Sequence, residues 1–239
     1  MCMLSFIPTP IGNKEDITLR SLRVLREAEV LFCEDIWTTR KLLSMYEISI
    51  ADKKLYSLTS HTSTTSVNFY VDLLQTHTCG VVSEAGTPWL SDPWKHLIKL
   101  CREQHIPFEV LPGANALVPV VVATPGDTTI RSYYGFLPQK KWRQTVLKEI
   151  LQSVYPVYIY ESVHRIEKLL QELTDLQYTW TLLVAREISK LFEQYVHGDV
   201  ATIQELVAAK KIPLKGEFVI WFITVPQEKK EKRSKLQKF

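Results

Sequence analysis

The sequence predicts an α/β protein made of two successive α/β domains. Three observations point there. Short β-rich runs alternate with segments of helical apolar spacing, a break carrying Pro119, Pro125 and Gly126 interrupts them, and the alternation then restarts. With 239 residues, 46% apolar and 23% charged, the chain can bury a sizeable core and is not disordered as a whole.

The elements follow in order. Strands are expected at Leu4–Thr9, Val30–Glu34, Lys54–Leu58, Gly80–Ser83 and Phe108–Leu111. Between the first two, Leu19, Leu22, Leu25 and Ala28 recur at helical spacing behind Asp16 or Thr18 as N-cap. Further helices are read at Thr38–Tyr46, Ser63–Thr76 and Pro93–Gln104. This pattern implies a mainly parallel sheet covered on both faces. Beyond the break come a strand Ser132–Phe136, a helix from about Lys141 to Gln152, a strand Val157–Tyr160 and a helix Val163–Asp175. Strands Thr181–Ala185 and Leu191–His197, a helix Ile203–Ala209 and a strand Glu217–Val225 complete the second half. The domains are placed at 1–118 and 119–226, followed by a tail, 227–239.

Charge is unevenly spread. The net charge is +3, yet the tail alone carries six basic residues and two acids, and the remainder is slightly acidic. Such a tail is either a solvated terminus or an aid to binding a polyanion such as RNA. Apolar stretches fall far short of a membrane span, and the start lacks the basic and apolar regions of a signal peptide, so a cytoplasmic location and no membrane are expected. The four cysteines (Cys2, Cys33, Cys79, Cys101) form no CxxC pair, and the six histidines have no paired metal spacing. No metal is expected, and Cys33 and Cys79 read as buried, unoxidised thiols.

Three strand ends share a chemistry. They carry Pro8-Thr9-Pro10-Ile11-Gly12-Asn13, Ser83-Glu84-Ala85-Gly86-Thr87-Pro88 and Leu111-Pro112-Gly113-Ala114-Asn115-Ala116. Ligands of open α/β sheets bind outside the carboxyl ends of the strands. Small residues there let a ligand meet main-chain groups directly. Any one of these loops is explained by turn formation alone; all three on one sheet are harder to explain that way. GxGxxG and GxxxxGK[ST] are both absent. The loops are poor in basic residues, so a neutral or cationic ligand fits better than a polyphosphate.

At these residues the chain resembles the class III, tetrapyrrole-methylase-like, S-adenosylmethionine-dependent methyltransferases. The likeness runs from Ile7 to about Phe222 through eight segments in the family's order. They are Pro8–Leu19, Cys33–Asp35 with Thr38–Leu43, Ser83–Pro93, Pro112–Ala116, Gly135–Pro138, Tyr160–Ile166, Ala185–Glu193 and Lys215–Val219. Within the family it is most similar to the branch that methylates a cytidine ribose 2′-oxygen in small-subunit (16S) ribosomal RNA. The resemblance implies a mainly parallel N-terminal sheet, a mixed C-terminal sheet and S-adenosylmethionine in a cleft between the domains. It also implies a homodimer acting on ribosomal RNA or the small ribosomal subunit. The cofactor positions implied are Pro10, Gly12, Glu84, Ala85, Gly86, Thr87, Asp92, Pro112, Ala114 and Ala185.

The implied reaction is in-line attack of a ribose oxygen on a sulfonium methyl, which needs positioning and a group to take the hydroxyl proton. Glu161, His164 and Arg165 follow one strand; Arg186, Glu187 and Lys190 follow another. Glu161 or Glu187 is placed to accept the proton or orient the ribose, and Arg165, Arg186 and Lys190 to hold phosphates. Equally open is a buried salt-bridge network. Lys140, Lys141 and Arg143, with Trp142, read as a phosphate-contacting patch with a stacking residue, or as a solvated helix start with Trp142 packed. Two alternatives remain: a small-molecule (tetrapyrrole-like) methylase and a non-catalytic RNA- or ribosome-binding homologue. The second draws support from Trp89 and Trp94, which stand where the family usually has glycine.

Overall fold

A computed structural model describes residues 3–57, 65–88, 95–124, 131–153 and 155–222. Trp89, Asp92, Trp94 and the tail lie outside the described residues. The chain divides into two compact units, Met1–Asn115 and Ala116–Phe239.

The first unit holds β1 (Leu4–Phe6), α1 (Leu19–Glu27), β2 (Val30–Cys33), α2 (Ile36–Met45) and β3 (Lys54–Ser57). α3 (Thr65–Thr76), β4 (Cys79–Val82), α4 (Lys95–Glu103) and β5 (Phe108–Val110) complete it. The strands form one parallel sheet in the order β3-β2-β4-β1-β5. β1, β2 and β4 are buried throughout, as expected of central parallel strands covered on both faces. Alternate residues feed two apolar layers. Leu4, Phe6, Val30, Phe32, Cys79 and Val81 face one; Ile7, Leu31, Cys33 and Val82 face the other. Helix starts are capped by short polar side chains: Thr18 accepts from the Ser21 N–H and Asp35 from the Thr38 N–H.

The second unit contains α5 (Leu117–Ala123), β6 (Ser132–Phe136), α6 (Arg143–Leu151), β7 (Val157–Ser162) and α7 (Ile166–Asp175). β8 (Leu182–Arg186), β9 (Gln194–Gly198), α8 (Val200–Ala208) and β10 (Glu217–Phe222) follow. The sheet order is β6-β7-β10-β8-β9. β6 is parallel to β7 and the other pairings are antiparallel, so the sheet is mixed. One sheet face packs Val157, Ile159, Val184, Ile220 and Phe222 against Leu147, Ile150, Leu169, Leu173 and Ile203 of α6, α7 and α8. Among the described residues no helix is long and apolar enough to cross a membrane.

Several boundaries differ from expectation, and two of them show a backbone reason. α6 begins at Arg143 rather than Lys141 because Trp142 adopts φ +70°, outside the right-handed helical region. The strand expected at Leu191–His197 starts at Gln194. Glu187 and Ser189, both at positive φ, turn the chain first, and Leu191 and Phe192 are left exposed.

Candidate functional site

In the first unit the three small-residue loops lie at the carboxyl ends of the adjacent strands β4, β1 and β5, and they are joined to one another. The Thr9 and Gly86 main chains bond reciprocally, at 2.9 and 3.0 Å. The Thr87 hydroxyl donates to the Ala114 carbonyl at 3.1 Å, and the Ser83 hydroxyl to the Gly86 carbonyl at 3.3 Å. Gly113 lies against Pro8 so closely that a Cβ there would fall 2.3 Å from the Pro8 Cβ. The loops therefore act as one preformed surface. Gly12, Glu84, Ala85, Pro112 and Gly113 are exposed on it, Pro10, Thr87 and Ala114 are half-buried, and Gly86 is buried. Glu84 is the single charged side chain of the three loops.

The second unit gathers its motifs at one end of its sheet. β6, β7 and β8 run in the same direction, and β10 runs against β7 and β8. The carboxyl ends of the first three therefore lie beside the start of β10. Glu161 and Arg186 flank Phe218 across neighbouring strands, about 9–10 Å apart by the spacing of a sheet.

Burial decides what these groups do. Glu161 is 1% exposed and Arg143 2%. The Glu161 carboxylate accepts from the Arg143 guanidinium at 3.0 Å, the Arg165 guanidinium at 2.8 Å and the Ser162 N–H at 2.8 Å. Arg143 also donates to both oxygens of buried Glu172, at 2.8 and 3.1 Å. The two guanidiniums then reach the main chain after β6. Arg165 donates to the Leu137 carbonyl at 3.0 Å and Arg143 to the Pro138 carbonyl at 3.4 Å. A buried charge persists when paired and fully hydrogen-bonded, which is the situation here.

This corrects three expectations. Arg143 does not face RNA, because its guanidinium is enclosed by two carboxylates. Arg186 does not either: it is buried and donates to the carbonyls of Lys215 (2.7 Å) and Phe192 (3.0 Å). Ala185 has no surface for a cofactor, being fully buried with its strand paired on both sides. Glu161 and Arg165 form the buried salt-bridge network that the sequence left open as one of two readings. Glu172 completes that network from 29 residues away, and no local sequence signal marks it.

Other expected residues remain accessible. Lys140, Lys141 and His164 are exposed, and Glu187 and Lys190 are half-buried. Lys190 donates to Glu187 at 2.9 Å and to Glu217 at 2.8 Å, and the Glu217 N–H donates to Glu187 at 3.0 Å. Burial alone would raise the Glu187 pKa. The Lys190 and Glu217 hydrogen bonds and the Lys190 and Arg186 charges outweigh it and hold the carboxyl below its ordinary value. Burial likewise works against the Lys190 charge, and the two carboxylates raise its pKa despite it.

A parallel sheet with joined small-residue loops, followed by a mixed sheet with its polar motifs at one end, is a fold shared with solved methyltransferases. The chain belongs to the tetrapyrrole (corrin/porphyrin) methylases, whose family pattern it matches over residues 3–204. Its relatives include the ribosomal RNA small subunit methyltransferase I of Helicobacter pylori J99, 35% identical over 95% of this chain and 83% of that protein. The protein of the same name from Hydrogenobaculum sp. is also 35% identical, over 91% of this chain and 94% of its own length. Among solved structures, Thermus thermophilus uroporphyrin-III C-methyltransferase, complexed with S-adenosylhomocysteine, superposes with a TM-score of 0.60. It is 15% identical and is covered over 97% of its length by 92% of this chain.

Proposed function

We propose that this chain transfers the methyl group of S-adenosylmethionine to the ribose 2′-oxygen of a cytidine in small-subunit ribosomal RNA. The observation that carries the reading is the joined loop surface at the ends of β4, β1 and β5, in a chain whose 35%-identical relatives bear the name of small-subunit rRNA methyltransferases. The surface fits the cofactor's chemistry. It presents main-chain groups and one carboxylate, Glu84, and no cation, which suits a sulfonium and a neutral nucleoside better than a polyphosphate. S-adenosylmethionine would supply an electrophilic methyl on a positively charged sulfur.

The accessible groups of the second unit are proposed to serve the RNA. Lys140 and Lys141 hold phosphates. Glu187, kept ionised by Lys190, is a weak proton acceptor and orients the ribose together with Lys190. His164, exposed on the turn after β7, is the proposed proton acceptor. The enzyme is proposed to act in the cytoplasm as a homodimer.

The test has two stages. Calorimetric titration with S-adenosylmethionine and S-adenosylhomocysteine should give micromolar binding. Incubation with tritiated cofactor and undermethylated small ribosomal subunits should then label RNA, and nucleoside analysis should recover 2′-O-methylcytidine. A folded protein that binds neither ligand at millimolar concentration supports the non-catalytic alternative, and a label on a tetrapyrrole supports the small-molecule one.

A further inference from the structure

We propose that Phe136 and Trp142, with Lys140, Lys141 and Arg165, form a stacking platform for unpaired RNA nucleotides. The inference deepens the substrate reading above and rests on it. β6 is an edge strand of its sheet, and Phe136 at its carboxyl end is 50% exposed. The Tyr160 ring meets Phe136 edge-on at 5.6 Å, and the Arg165 guanidinium lies 6.0 Å from the ring centre. Six residues on, Trp142 is 63% exposed with Lys141 Nζ 5.4 Å from its ring. Its backbone is left-handed at φ +70°, and its side chain makes no capping hydrogen bond. A left-handed backbone disfavours a residue with a Cβ, and an exposed indole recovers little by burial. Neither packing nor capping accounts for Trp142.

The segment between the two rings is held in place. The Arg165 and Arg143 guanidiniums bind the Leu137 and Pro138 carbonyls, and Glu161 fixes both guanidiniums. The buried network thereby acts as a mount for an exposed surface. Its charge selects the occupant. Residues 131–144 contain no acid; with Arg143 neutralised inside, Lys140 and Lys141 are their exposed cations, and each exposed ring carries a cation beside it. Isolated aromatic faces between cations suit bases joined by phosphates. A paired A-form helix offers no free base faces, so the occupant is single-stranded RNA.

The experiment measures fluorescence anisotropy of a short labelled oligoribonucleotide, free and annealed to its complement, with the full chain. Phe136→Ala and Trp142→Ala are each expected to weaken single-strand binding about tenfold and leave duplex binding unchanged. Trp142→Phe should retain most of the affinity. Lys140→Ala with Lys141→Ala should lower the salt dependence by about one to two counterions. Thermal melting checks that each variant folds; both rings are exposed, so the midpoints should not move. Unchanged single-strand affinity in both aromatic variants overturns the platform, as does equal loss on duplex and single strand. The two readings fail separately. Ring-dependent RNA binding without methyl transfer refutes the enzymatic reading, and methyl transfer by a parent whose RNA binding ignores both rings refutes the platform.

Discussion

Replacing Glu161 by glutamine separates a structural carboxylate from a catalytic one. The side chain is 1% exposed and faces two guanidiniums, at 3.0 and 2.8 Å. With Glu172 opposite, the network holds two guanidiniums and two carboxylates, and exposed Lys168 reaches Glu172 from outside at 4.0 Å. Glu161→Gln leaves Arg143 with Glu172 and takes from Arg165 the carboxylate it pairs with. Removing one partner of a buried ion pair costs about 3–5 kcal/mol. Arg143 keeps both oxygens of Glu172, so the lower end applies, about 3 kcal/mol. A chain of this length loses about 2–4 °C of midpoint per kcal/mol, so Tm should fall by about 6–12 °C. Scanning calorimetry or circular dichroism reads the shift. Adding Arg165→Met to Glu161→Gln should recover part of it, because the double variant also removes the cation that lost its carboxylate. A midpoint within about 2 °C of the parent refutes the network argument. If methyl transfer vanished in that same variant, Glu161 would be a group of the reaction itself.

Further outcomes follow from other local features. Gly113→Ala places a Cβ 2.3 Å from Pro8, so the joined loops must separate; a cost of about 1–3 kcal/mol and weaker S-adenosylmethionine binding by calorimetry are expected. Gly216→Ala sets a Cβ 2.1 Å from Glu187 Oε1 at φ +88°, and should release the Glu187–Lys190 pair and lower the melting midpoint. The folded pKa of Glu187 lies below its ordinary 4.5. Its stabilisation is therefore complete above that value and is lost as pH falls through the lower, folded one. Urea unfolding at stepped acidic pH should show a shallower acid limb in Glu187→Gln. Cys33 and Cys101 are fully buried and burial raises both thiol pKa values, that of Cys101 to about 11, so a disulfide thiol reagent should modify them only after unfolding.

Local pattern alone determined the architecture of each half. Strand Ser132–Phe136 and the cores of nine other strands are legible because β-branched and aromatic runs alternate with helical spacing, and both are short-range signals. The three glycine-bearing loops are legible for the same reason: a backbone that must approach another closely needs small residues wherever it occurs. Strand order then brought those loops together. Arg143 shows where this reasoning ends. In sequence it stands beside two lysines and a tryptophan and reads as part of an RNA patch, yet one turn of helix rotates it inward to Glu161 and Glu172, 18 and 29 residues away. Arg186 likewise turns to the carbonyls of Lys215 and Phe192. A charged side chain carries no mark of whether it meets solvent, a phosphate or a buried partner. That depends on which groups the fold sets around it and whether they repay its lost hydration, and only the tertiary structure supplies those groups.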